Sequence, residues 1–142
     1  MKRHAVYVID SSVIVKWITT HEENFIKHAD QILLDARTND TLLITPLLAK
    51  YEVGNAIKYK SFTIEEKITC LENLYHLPLQ FVDTLFNEAI TTIEIAHSFK
   101  ITYYDGVFIA LAKKLMCPLI TANPKHQKKF PGVNVIPLNE YK

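Results

Sequence analysis

Ala5-Val6-Tyr7-Val8-Ile9-Asp10-Ser11-Ser12-Val13-Ile14-Val15-Lys16-Trp17-Ile18 settles the class of fold. Ala5 to Ile9 is a continuous apolar run rich in β-branched residues, the pattern of a strand buried on both faces. From about Ser12 to Ile18 the chain reads as helix. Asp10 stands where the strand ends. A strand covered on both faces needs helices above and below its sheet, so the segment predicts an α/β domain.

The rest of the chain repeats the alternation. Glu22 to about Thr38 reads as a helix, with Ile26, Ala29, Leu33 and Ala36 at spacings of three and four. Leu42 to Thr45 reads as a short strand, and Pro46 suits the first turn of a helix reaching about Lys60. Thr63-Ile64-Glu65-Glu66 matches a capping box, with Ile64, Ile68, Leu71 and Tyr75 as the apolar stripe behind it. Leu79 to Val82 is a strand. Asp83 or Thr84 can cap the next helix, whose expected buried line is Leu85, Ala89, Ile93 and Ala96. A further helix from near Tyr103 is expected to bury Tyr104, Phe108, Leu111 and Leu115. Pro118 to Thr121 and Val133 to Ile136 are the last strands. Between them, Asn123-Pro124 reads as a helix cap followed by proline at the first helical position. The expectation is a single domain over residues 1–142. Its sheet is expected to be mostly parallel and covered on both faces. The two helices between Pro46 and Pro78 form a hairpin at one edge.

Composition removes several classes of function. Hydrophobic residues make up 49% of the 142, enough for a continuous core. A net charge of +1 excludes a strongly basic nucleic-acid coat, though not a local basic groove. Cys70 and Cys117 are the only cysteines, which predicts reduced, buried thiols in a cytoplasmic setting. The apolar run before Asp10 is too short for a signal-peptide core or a membrane span. No glycine-rich phosphate loop and no Ser/His/Asp or Cys/His arrangement is evident. Glu94-Ile95-Ala96-His97 has the Glu-x-x-His spacing of carboxylate-bridged metal bundles but lacks the second copy they require. Glu72 and His76 lie four apart on another element. Lys125, His126, Lys128 and Lys129 form a basic cluster that suits either solvent or RNA phosphates. Lys16 and Trp17 offer a cation and a stacking surface, against a core or dimer-interface role for the indole.

Three carboxylates carry the chemistry. Asp10 ends the first strand, and in open parallel sheets ligands bind outside the carboxyl ends of the strands. Leu48, Glu52 and Ala56 share one helix face, and a carboxylate on an apolar line is costly to bury without a partner. Asp105 opens a helix among aromatic neighbours. Each also has a plain reading, as a cap (Asp10, Asp105) or an exposed helix residue (Glu52). Three oxygen donors on separate elements suit Mg²⁺ or Mn²⁺. Such an ion makes water more acidic and neutralises charge on a phosphodiester under attack. This reading requires the three acids to share one pocket at the top of the sheet.

Taken together, the motifs resemble a PIN domain of the VapC toxin type. Val8-Ile9-Asp10-Ser11-Ser12-Val13-Ile14-Val15-Lys16-Trp17 looks like the family's opening strand, acid and helix. Leu48-Ala49-Lys50-Tyr51-Glu52-Val53-Gly54-Asn55-Ala56 resembles its central acidic helix. Tyr103-Tyr104-Asp105-Gly106-Val107-Phe108-Ile109-Ala110-Leu111-Ala112 resembles the helix of the third acid. Leu119-Ile120-Thr121-Ala122-Asn123 resembles the late strand with the fourth. The resemblance implies an α/β fold, a three-layer α/β/α sandwich with a mostly parallel central sheet, and a Mg²⁺- or Mn²⁺-dependent endoribonuclease acting on single-stranded or loop RNA. It also implies a homodimer and a VapB-like antitoxin whose C-terminal segment blocks the site. Carried residue by residue, it assigns Asp10, Glu52, Asp105 and Asn123 to the metal and Ser12 to a hydroxyl beside it; Thr121 is a weaker candidate of the same kind. Asn123 departs from the family acid: its carbonyl can bind a cation but brings no charge. One well-held metal and a weaker second site are therefore expected. Two alternatives stand beside this one. One is a non-catalytic PIN-like module that binds RNA or protein. The other is a phosphatase or receiver-like domain with Asp10 as nucleophile or phosphoacceptor, disfavoured because Ser11 and Ser12 follow where a paired acid is usual.

Overall fold

A computed structural model describes residues 4–19, 25–38, 40–123 and 130–142. Five strands form one sheet: β1 (Val6–Ile9), β2 (Leu42–Pro46), β3 (Gln80–Val82), β4 (Leu119–Thr121) and β5 (Val135–Pro137). Their order is β3-β2-β1-β4-β5 and every pairing is parallel. The helices are α1 (Ser11–Thr19), α2 (Ile26–Thr38), α3 (Leu48–Lys58), α4 (Ile64–Tyr75), α5 (Phe86–Phe99) and α6 (Tyr103–Leu115). Right-handed crossovers send the chain outward from β1 to β3 on one face and back to β4 on the other. Accordingly α1 packs against α2, α3 and α4, while α6 lies on β1, β2 and β4 with α5 over it. The sandwich is the expected one, and its sheet is wholly parallel.

The core follows the apolar strand runs. Val8 and Ile9 of β1 are fully buried, together with Leu43, Leu119 and Ile120 of the neighbouring strands. Trp17 is buried, and its indole N–H donates to the Ala29 carbonyl at 2.6 Å, fastening α1 to α2. It is a core residue, and the stacking role does not hold. Cys70 and Cys117 are buried free thiols, and burial pushes both pKa values up.

Several expected details change. Pro46 is the last residue of β2, in register with Val82, and the helix begins at Leu48. Proline costs little there because the strand's pairing ends with it. Thr63 caps α4 as expected, accepting from the Glu66 amide at 3.1 Å. Yet Ile64, Ile68, Leu71 and Tyr75 are exposed, and α4 turns Cys70 and Leu74 inward instead. α1 and α3 pack against it, and among the described residues one narrow line is buried. On α5 the buried line is Glu88, Thr92, Ile95 and Ala96; Leu85 and Ile93 face outward. This helix lies over α6, and that contact buries a line which shares Ala96 with the expected one. Glu88 pairs with Lys114 of α6, which holds its carboxyl below the usual range. On α6 the whole run Gly106 to Ala112 is buried between sheet and α5, while Tyr104 and Leu115 are exposed. Neither Asp83 nor Thr84 is the α5 N-cap, which is Leu85. The helix expected after Asn123 and the basic cluster at 125–129 lie outside the described residues.

Candidate active site

β1 delivers Asp10 to the carboxyl edge of the sheet, and α1 starts on its backbone carbonyl, which accepts from Val13 N at 3.0 Å. The carboxylate turns toward β4. Ser12 Oγ donates to Asp10 Oδ2 at 2.6 Å, and Thr121 Oγ1 donates to the same oxygen at 2.8 Å. β1 and β4 flank the point where strand order reverses, the usual ligand crevice of such sheets. Backbone amides complete the arrangement. Ala122 N donates to Ser12 Oγ at 2.9 Å and Asn123 N to Thr121 Oγ1 at 3.1 Å. Each hydroxyl thus accepts from a peptide N–H and donates its own O–H to the Asp10 carboxylate. Asp10 is only 3% exposed, and the two hydroxyls give its buried carboxylate hydrogen-bond donors in place of water.

Glu52 is half-buried on α3, and Ser11 Oγ donates to its Oε1 at 2.9 Å. Consecutive serines therefore serve two different acids. Ser12 behaves as expected; the role of Ser11 is not signalled by its residue type, since an adjacent serine looks equivalent. Asp105 is the third residue of α6 and half-buried. It is not the helix cap. That residue is Thr102, whose Oγ1 accepts from Asp105 N at 3.1 Å. α6 must return the chain to the amino edge before β4, so its first turn stands toward the carboxyl edge. Asn123 is half-buried two residues beyond Thr121.

The acids do not form the ready-made three-acid pocket that the sequence reading required. Among the described residues, no group of three His, Cys, Asp or Glu side chains could hold a metal ion. What the structure brings together is Asp10 with Ser12 and Thr121, and Glu52 with Ser11. The donor set is all oxygen, which suits a hard cation. Mg²⁺ commonly takes one or two protein carboxylates and keeps several waters, so the donor types of Asp10 and Glu52 suit it. The histidine alternatives fail. Glu94 and His97 are exposed, and His76 Nδ1 lies 2.7 Å from the backbone carbonyl of Glu72, not its carboxylate. No described helix is long and apolar enough to cross a membrane.

The PIN domain family model matches residues 7–132. No curated protein sequence matches the chain. Solved structures do. VapBC2 from Rickettsia felis, bound to a promoter DNA fragment, superposes with TM-score 0.72 at 15% identity, over 93% of this chain and 98% of that one. DNA-bound VapBC from Salmonella typhimurium gives 0.69 at 16% identity, over 94% and 98%. VapC20 from Mycobacterium tuberculosis, described as a Sarcin-Ricin loop cleaving toxin, gives 0.63 at 8% identity, over 80% and 86%.

Proposed function

The chain belongs to the PIN domain family, and on that premise we propose that it is a divalent-metal-dependent endoribonuclease, the toxin of a VapBC-type pair. The observation that carries the proposal is the buried Asp10 carboxylate, held by Ser12 and Thr121 at the reversal of strand order. Asp10 and Glu52, with Asp105 and Asn123 alongside, would hold Mg²⁺ or Mn²⁺. When bound, the cation supplies a more acidic water and neutralises charge on the scissile phosphate. The chain's own residues orient this chemistry. Ser12 and Thr121 fix the Asp10 carboxylate so that it cannot swing with the substrate. Asp105 would add an oxygen donor from the first turn of α6. Asn123 offers a carbonyl without charge, so a second ion is held more weakly than the first. Products carry 5′-phosphate and 3′-hydroxyl ends. The protein acts on single-stranded or loop RNA in the cytoplasm, as a homodimer, and is silenced by a VapB-like antitoxin. The Rickettsia and Salmonella VapBC structures support such a partner.

A second reading has specific support. Asn123 and the lack of a three-acid group among the described residues favour a PIN-like module that binds RNA or protein without cutting. One experiment separates the two: Mn²⁺ titration together with cleavage of hairpin and single-stranded RNA by wild type and Asp10→Asn. The nuclease reading expects one tight Mn²⁺ site and cleavage that Asp10→Asn abolishes while the fold survives. Full activity in that variant, or no metal-dependent cleavage of any RNA by wild type, defeats it. Two equally tight ions per chain contradict the role given to Asn123.

A further inference from the structure

We infer that Ser11 is a positioning residue: its hydroxyl holds the Glu52 carboxylate in fixed relation to Asp10, so that both acids are presented from the first turn of α1. The inference rests on the nuclease reading and deepens it. Glu52 and Ser11 lie 41 residues apart, joined by a 2.9 Å hydrogen bond between α3 and α1. Ser11 is 9% exposed and follows Asp10 directly in the chain. Its position has little freedom. The Asp10 carbonyl takes the Val13 amide, and Ser12 is tied both to Asp10 and to the Ala122 amide.

Adjacent residues on a helix project about 100° apart, so two neighbouring serines cannot serve one carboxylate with equal geometry. The sequence acid-Ser-Ser divides the work: the second serine turns back to Asp10, and the first turns across to α3. Glu carries more rotamer freedom than Asp. On α3 it sits beside Val53, which is fully buried, with open solvent within its reach. A carboxylate has about four acceptor sites. The Ser11 bond uses one on Oε1 and fixes the direction of the rest. Through Ser11, the packing of α1 on α3 sets the distance between two acids carried on different elements.

The test is a double-mutant cycle with Mn²⁺ as probe. Ser11→Ala, Ser11→Thr, Glu52→Gln and the Ser11→Ala/Glu52→Gln double variant are compared with wild type. Mn²⁺ affinity is measured by titration calorimetry and RNA cleavage by steady-state kinetics. Partners that orient a metal ligand typically change affinity or activity by about tenfold or more. Ser11→Ala is therefore expected to weaken Mn²⁺ binding about tenfold and to lower kcat with KM unchanged. Ser11→Thr restores most of both, and Ser11→Ala has no further effect once Glu52 is Gln. If Ser11→Ala does not fold, Ser11→Cys carries the same comparison, since a thiol is a weak donor of similar size. Wild-type Mn²⁺ affinity and kcat in Ser11→Ala overturn the inference. So does a loss that persists in full on the Glu52→Gln background, which is what a merely structural serine would give. A wild type that neither binds Mn²⁺ nor cuts RNA overturns the nuclease reading itself. A Ser11→Ala variant matching an active wild type overturns only the role of Ser11.

Discussion

A carboxylate withdrawn from water stays charged only if donors replace the water it has lost. Thr121 and Thr45 show what that replacement is worth, because both are fully buried threonines on adjoining strands of β1 with different acceptors. Thr45 donates to the neutral carbonyl of Ile9 at 2.8 Å, and Thr121 donates to the Asp10 carboxylate at the same distance. Hydrogen bonds to charged groups contribute roughly 1.5–3 kcal/mol, those between neutral groups about 1. Thr121→Val should thus cost about 2 kcal/mol and Thr45→Val about 1, read from urea unfolding midpoints. Thr121→Val should also lower RNA cleavage, and Thr45→Val should leave it intact. Equal effects of the two on cleavage would remove Asp10's special standing. At this scale the sequence is partly legible. Asp10 and Ser12 stand out because a strand ends on an acid and a hydroxyl follows two places later. Ser11 does not, since which serine faces which acid depends on how α1 is rotated against α3.

Elements were legible wherever a local signal suffices. β1 reads from its β-branched run, and α4 begins at its capping box. Which face an element buries is set by what lies across from it, and there periodicity misleads. α5 is the clearest case. A Cβ at Gly106 of α6 would lie 3.1 Å from the Thr92 carbonyl and 3.2 Å from its Cγ2. The two helices approach closely at the glycine next to Asp105, and that contact, not the sheet, chooses the buried side of α5. Gly106→Ala must push α5 outward because the nearer obstacle is backbone. Overpacking of this kind costs about 1–3 kcal/mol. The higher helix propensity of alanine offsets up to about 1 kcal/mol of it. The expected outcome is a net loss of stability in a thermal melt, with the heaviest amide-exchange increase in α5. A melting temperature raised by Gly106→Ala would show that the helices part without cost. The same reasoning explains the outward apolar residues of α4: its stripe is regular, but α1 and α3 meet it along the line of Cys70 and Leu74.

For the molecule as a whole, the sheet order makes the site a global property. Asp10, just past the end of β1, and Thr121 of β4 lie 111 residues apart in sequence and are joined by the bond between them. Glu52 is attached through α1 and α3. No local unfolded segment can reproduce that grouping, so a cation that binds there binds the folded chain and barely the unfolded one. Ligand linkage then gives about 2.7 kcal/mol of added stability at roughly a hundred times Kd. With an unfolding entropy of about 2.1 cal/mol/K per residue near 60 °C, a chain of this length gains roughly 9 °C in Tm. Mn²⁺ at about that excess should therefore raise the melting temperature of wild type by this amount, and Asp10→Asn should lose most of the shift. Both variants must be melted at the same ionic strength, so that general screening is not mistaken for binding. An equal rise in wild type and Asp10→Asn would place the cation elsewhere on the surface. The family motifs along the sequence nominate Asp10, Glu52 and Asp105 for that cation. The crossover that lays β4 beside β1 sets Thr121 against Asp10, and the difference in Tm shift between wild type and Asp10→Asn tests whether a cation binds there.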